Sequence, residues 1–176
     1  MKRPLAAVLV LIALAAASAG LAQSVSVSLG RTKGPTQPIL FSHKIHAGKL
    51  GMDCLYCHYG ALNSPIANIP AVGTCMGCHK IAMTDRPEVR KLTEYFNRGE
   101  VVPWREVYKL PEHVKFNHKR HVRANVQCEE CHGPVKQMDV VYQWSSLKMG
   151  WCVTCHRQKL NDPQFPANMD CLTCHH

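Results

Sequence analysis

Five copies of one five-residue pattern, Cys-x-x-Cys-His, take up every cysteine in the chain. They stand at Cys54–His58 (CLYCH), Cys75–His79 (CMGCH), Cys128–His132 (CEECH), Cys152–His156 (CVTCH) and Cys171–His175 (CLTCH). A zinc half-site or a redox dithiol uses CxxC but does not require a histidine at the next position five times over. Covalent haem attachment does. Two thiols a turn apart can each form a thioether to a porphyrin vinyl group, and the imidazole that follows is carried under the ring to an axial position on the iron. The pattern predicts five covalently bound haem c groups. Cys54, Cys57, Cys75, Cys78, Cys128, Cys131, Cys152, Cys155, Cys171 and Cys174 are the attachment residues. His58, His79, His132, His156 and His175 are the proximal ligands.

The motifs belong to a duplication. Phe41-x-His43-x-x-His46 recurs as Phe116-x-His118-x-x-His121, each position displaced by 75 residues. Cys54 to Cys128 is a step of 74 and Cys75 to Cys152 one of 77, so the whole unit moves together and a fifth motif is appended. Each repeat answers a ligand problem, because five irons have ten axial positions and the motif histidines fill half. His43 lies eleven residues before Cys54 and His118 ten before Cys128. A loop of that length can fold over the far face of the haem that follows. His46 and His121 sit about one helical turn further on and would reach a neighbouring haem. A surface or zinc-binding His-x-x-His pair has no reason to recur in register with the haem motifs. His43, His46, His118 and His121 are therefore the expected distal ligands, which leaves one iron short. The fifth is expected to be Met149 in LKMGWC or Met138 in KQMDVVYQW, Met149 ahead of the two, since Met/His ligation is normal for haem c; His113, which reads as part of an exposed loop, and the C-terminal His176 are the remaining histidines.

Lys2 and Arg3 precede an uncharged apolar stretch from Pro4 to Ala22, an export signal. Ala17-Ser18-Ala19 and Gly20-Leu21-Ala22 both suit signal peptidase, while nineteen residues of helix would span roughly 28 Å of bilayer. Residues 1–23 are thus a signal peptide or an uncleaved transmembrane anchor, and either way the rest faces the periplasm. Residues 24–38 read as a linker. The formal charge of +9 comes without a basic run or nucleic-acid motif and so does not indicate nucleic-acid binding. Ten haem propionates, with about one positive charge per ferric core, would bring the oxidised holoprotein to roughly +4.

Five porphyrins would supply much of the buried apolar surface. The expected fold is a multihaem cytochrome c of irregular loops and short α-helices wrapped around five haems, with little β structure, plus the N-terminal apolar helix. The pentahaem domain covers 39–176: repeat 1 over about 41–80, a connecting region over 81–115, repeat 2 over about 116–157 and the fifth motif over 158–176. Within the connection a helix is predicted from Asp85 to Asn97, with Asp85 and Glu88 at capping-box spacing and Gly99 at the exit. Val89, Leu92 and Phe96 form its apolar stripe. Val101–Val114, with Trp104 and Tyr108, reads as extended and as a candidate docking surface. Phe41 and Phe116 are expected to pack edge-on against porphyrin.

The F-x-H-x-x-H…CxxCH unit resembles the class III multihaem cytochromes c. The run from QPILFSHKIHAGKLGMDCLYCH through IPAVGTCMGCHK, FNHKRHV, CHGPV, MDVVYQ and MGWCVTCHR resembles, over roughly residues 37–157, the pentahaem subunit of alternative complex III. That is a bacterial membrane quinol:electron-acceptor oxidoreductase. The resemblance implies mostly bis-histidine haems with a minority His/Met, and an uncleaved N-terminal anchor. It implies as partners an iron–sulfur subunit related to molybdopterin oxidoreductases, integral membrane subunits, and a monohaem cytochrome c or terminal oxidase as acceptor. The chain is then an electron-transfer subunit without a substrate site of its own. The alternative is a free or differently partnered periplasmic electron carrier. A nitrite- or sulfur-reducing enzyme would need an open iron, and every motif here ends in histidine with enough distal candidates to close each site.

Overall fold

A computed structural model describes residues 34–176. The apolar leader and most of the linker lie outside the described residues. Among the described residues there is no strand. A π-helical turn, Lys44–Lys49, is followed by α1 (Cys54–Cys57), α2 (Gly60–Asn63), α3 (Val72–His79), α4 (Pro87–Asn97), α5 (His118–Arg123) and α6 (Cys128–His132). A 3-10 turn, Val135–Gln137, then precedes α7 (Met149–Gln158) and α8 (Cys171–Cys174). No described helix is long and apolar enough to cross a membrane.

Every Cys-x-x-Cys-His motif lies on or at the end of a helical turn, and the flanking residues explain why. Asp53 caps α1 by accepting from the Leu55 N–H at 2.7 Å, and Asp170 caps α8 through Leu172 N–H at 2.8 Å. Gln127 and Glu130 form a reciprocal capping box on α6. These caps let four- and five-residue turns hold two thiols on one side, although turns this short have little helical stability of their own.

The side-chain core is small. Ile39, Met76, Leu92 and Val102 form its buried cluster, flanked by Val72, Cys75, Tyr95 and Trp104. It lies between α3, α4 and the extended chain on either side. The connecting helix is shorter at its start than the sequence suggests: Arg86 takes the N-cap position and Pro87 the first turn. Glu88 is not a capping-box partner. Its carboxylate instead accepts the Leu40 N–H at 2.7 Å and pairs with Lys91 at 2.6 Å, tying α4 to the chain before the first repeat. Of the predicted stripe, Leu92 is buried and Val89 half-buried, while Phe96 is exposed beneath the Lys80 ammonium. Gly99 ends the segment at φ +66°, as the exit required.

Trp104 and Tyr108 point inward rather than to a docking surface. Trp104 packs on the core. The Tyr108 hydroxyl donates to Tyr142 O and accepts from the Trp144 N–H, both at 3.1 Å, and its ring meets the His132 imidazole edge-on.

Candidate haem centres

The histidines meet in pairs, and each pair contains one motif histidine. His43 faces His58 with ring centres 6.4 Å apart and planes 5° from parallel; His118 faces His132 at 6.4 Å and 9°. His46 stands 6.1 Å from His79 at 64°, and His121 stands 6.1 Å from His156 at 48°. His113 stands 5.7 Å from His175 at 21°. Two imidazoles bound to opposite sides of one metal, with metal–nitrogen bonds of about 2.0–2.1 Å and about 1.1 Å from nitrogen to ring centre, have centres about 6.2–6.4 Å apart. Four of the five separations lie within about 0.3 Å of that figure, and the fifth is shorter by roughly half an ångström.

The ring nitrogens agree with the spacing. Nδ1 is hydrogen-bonded to a backbone carbonyl in His46 (Ser42 O, 2.8 Å), His58 (Asn68 O, 2.6 Å), His79 (Ala82 O, 3.0 Å), His118 (Pro65 O, 2.8 Å), His121 (Asn117 O, 2.9 Å), His156 (Asn168 O, 2.7 Å) and His175 (His113 O, 3.1 Å). An Nδ1–H held this way fixes the tautomer with Nε2 bare and turned away, the arrangement a metal-binding histidine needs. Burial, with the neighbouring His58, His46 and His132, pushes His43 down to about 4. Burial, with His118 and His58, does the same to His132. Both rings are therefore neutral near pH 7 and able to donate a lone pair. His43 Nδ1 is a buried polar atom without a partner among the described residues.

The two repeats build the same local device. Phe41 stacks on His46 at 4.3 Å and meets His43 edge-on at 4.9 Å; Phe116 stacks on His121 at 4.4 Å and meets His118 edge-on at 4.7 Å. Each phenylalanine thus touches two histidines one turn apart.

The thiols carry no disulfide. Burial raises the Cys131 thiol to about 11, helped by Cys155, Glu130, Cys152 and Cys128. It also raises Cys57, with Cys54 adding to it; Cys75, with Cys57 adding; and Cys152, with Cys174 and Cys155 adding. Cys128 is raised by burial, with Cys54 and Glu129 adding to it.

Met149 is exposed, and Met138 is buried beside the π turn, where its carbonyl accepts the Lys44 N–H. The ring opposite His175 is that of His113. The sequence also hides a cage around the third motif: the buried Ser145 donates to Cys131 O at 2.6 Å, and Trp144 lies against Gly133. A faint signal for the carbonyl partners exists, since Ala67-Asn68 and Ala167-Asn168 both end the loops that follow a motif histidine.

Residues 114–176 match the model of cytochrome c7 and related cytochrome c. Over that stretch the chain is cytochrome c7-like. Its overall similarity extends further, to the menaquinone reductase multiheme cytochrome c subunit of Nitratidesulfovibrio vulgaris (strain Hildenborough). The two are 28% identical over 160 residues, covering 79% of this chain and 76% of that protein. The matched stretch includes His118, His121 and the last three motifs, with His113 just outside it. Covalent haem c and an electron-transfer role follow from that likeness.

Proposed function

We propose that the chain carries five haem c groups, each held by two histidines, and serves as the electron-transfer subunit of a membrane-bound bacterial quinol:electron-acceptor oxidoreductase. The haems supply one-electron iron redox chemistry when bound. The chain would fix where they sit and offer two histidines to each iron, and burial keeps His43 and His132 neutral for that role. The observation that carries this reading is the pairing of all five motif histidines with five others, His43, His46, His113, His118 and His121, at metal-bridging distances. Closed irons suit electron transfer and leave no coordination site for a substrate.

The partners proposed are an iron–sulfur subunit, integral membrane subunits and a periplasmic cytochrome c or terminal oxidase. The leader at 4–22 is taken as their companion anchor in the membrane. The motif order across 37–157 supports quinol oxidation. The name of the N. vulgaris relative supports the opposite direction, quinone reduction, as a second reading. Purification from native membranes tests both. The expected result is a complex with five covalent haems in this subunit that reduces cytochrome c with a quinol analogue. A complex that only reduces quinone would select the second reading, and a chain recovered without membrane subunits would select the free carrier.

A further inference from the structure

The five histidine pairs have an order in space that differs from their order in the chain. Phe41 lies against both His43 and His46, so the sites of the first and second motifs are neighbours; Phe116 makes neighbours of the third and fourth in the same way. The two halves join through the first and third sites. His118 Nδ1 and the Lys119 N–H reach back to Pro65 O and Ser64 O, in the loop that follows the first motif, at 2.8 and 3.2 Å. The Lys44 N–H donates to Met138 O at 3.0 Å, closing the same junction from the other side. The second motif's helix, α3, packs on α4 and the small core.

The fifth site joins at the opposite end. His156 Nδ1 bonds Asn168 O, and the Ala167 N–H donates to Lys159 O at 3.0 Å, so the segment entering the fifth motif is pinned to the fourth. Lys115 N–H holds Cys174 O at 2.8 Å and His113 stands over His175, fastening the fifth motif from its far side.

We propose that the five haem positions form an unbranched row in the order second, first, third, fourth, fifth, with Cys75–His79 and Cys171–His175 at its ends. The proposal rests on the five-haem reading above. The row makes the contact between the two repeats its middle, and it puts a one-electron donor and a one-electron acceptor at opposite ends. Both would meet positions that belong to the second motif of the first repeat and to the appended motif, so the row ends on the last motif of the chain but not on the first.

Anomalous scattering at the iron edge from crystals of the holoprotein tests it directly. Five iron peaks are expected. The shortest separations should join second to first, first to third, third to fourth and fourth to fifth, and the longest should lie between second and fifth. Five peaks in any other neighbour order, such as the fifth nearest the third or the second nearest the third, overturn the row and leave the five-haem reading standing. Four peaks or fewer overturn the five-haem reading itself, and the row with it.

Discussion

His113 lies between the repeats, in a segment with no counterpart upstream of the first, yet its ring faces the last motif histidine 62 residues further on. His113→Ala should therefore open one iron of five, giving a high-spin signal and carbon monoxide binding at about one haem equivalent per chain. Met149→Leu and Met138→Leu should leave all five irons low-spin. Optical and electron paramagnetic resonance spectra of the three variants decide this; a high-spin fraction in either methionine variant would restore the thioether. Ring orientation gives a second test. Imidazole planes near parallel split the iron orbitals into a rhombic pattern, while strongly crossed planes give a more anisotropic low-spin signal. The wild-type spectrum should contain both, the anisotropic part coming from the sites of His79 and His156, whose pairs cross at 64° and 48°. His46→Ala should remove one anisotropic component and spare the signal of the first motif's iron.

At the scale of elements, the short motif turns depend on what flanks them. Gly133 follows α6 at φ +66°, and a Cβ there would run into the Trp144 indole. Gly51 has the same φ and open space around it. Gly51→Ala should cost only the left-handed strain, about 1 kcal/mol, and Gly133→Ala about 2–4 kcal/mol because overpacking is added. Thermal melts of the two holoproteins compare them. Glu88 tests the tie between α4 and the first repeat. Its hydrogen bonds to Lys91 and to the Leu40 N–H hold its carboxyl below the ordinary value. Its contribution is then present above the ordinary carboxylate range and lost as pH falls through the lowered folded-state value. Glu88→Gln should cost about 1 kcal/mol at pH 7, and the gap to wild type should close on acidification. Much of this level was legible beforehand. The connecting helix follows from Pro87, its periodic apolar residues and Gly99, all local signals. Glu88's role was not, because a carboxylate three residues after Asp85 reads as a cap until the chain at Leu40 is seen to pass beside it.

Across the whole molecule, the duplication could be read from spacing because both copies keep their histidines in register, and the geometry repeats to a few tenths of an ångström. The place of His113 could not. No period carries it, and a contact over 62 residues leaves no trace in a local pattern. The same holds for the Ser145–Trp144 cage, whose residues look like an ordinary polar turn. The six buried apolar residues among the described residues are few for a chain of this size, and conformational entropy on the order of 1–2 kcal/mol per residue opposes them. A chain produced without haem attachment should accordingly lack a cooperative melt by circular dichroism. A sharp transition in that form would mean that side chains alone hold the fold.

In all five pairs the non-motif histidine comes earlier in the chain: His43 before His58, His46 before His79, His113 before His175, His118 before His132 and His121 before His156. A chain delivered N-terminus first therefore presents the second imidazole before the thiols that will capture each porphyrin. No iron has to wait, half-liganded, for a residue still to be made or moved. Assembly can then keep pace with synthesis, and a truncated product would keep complete centres up to the point where it stops.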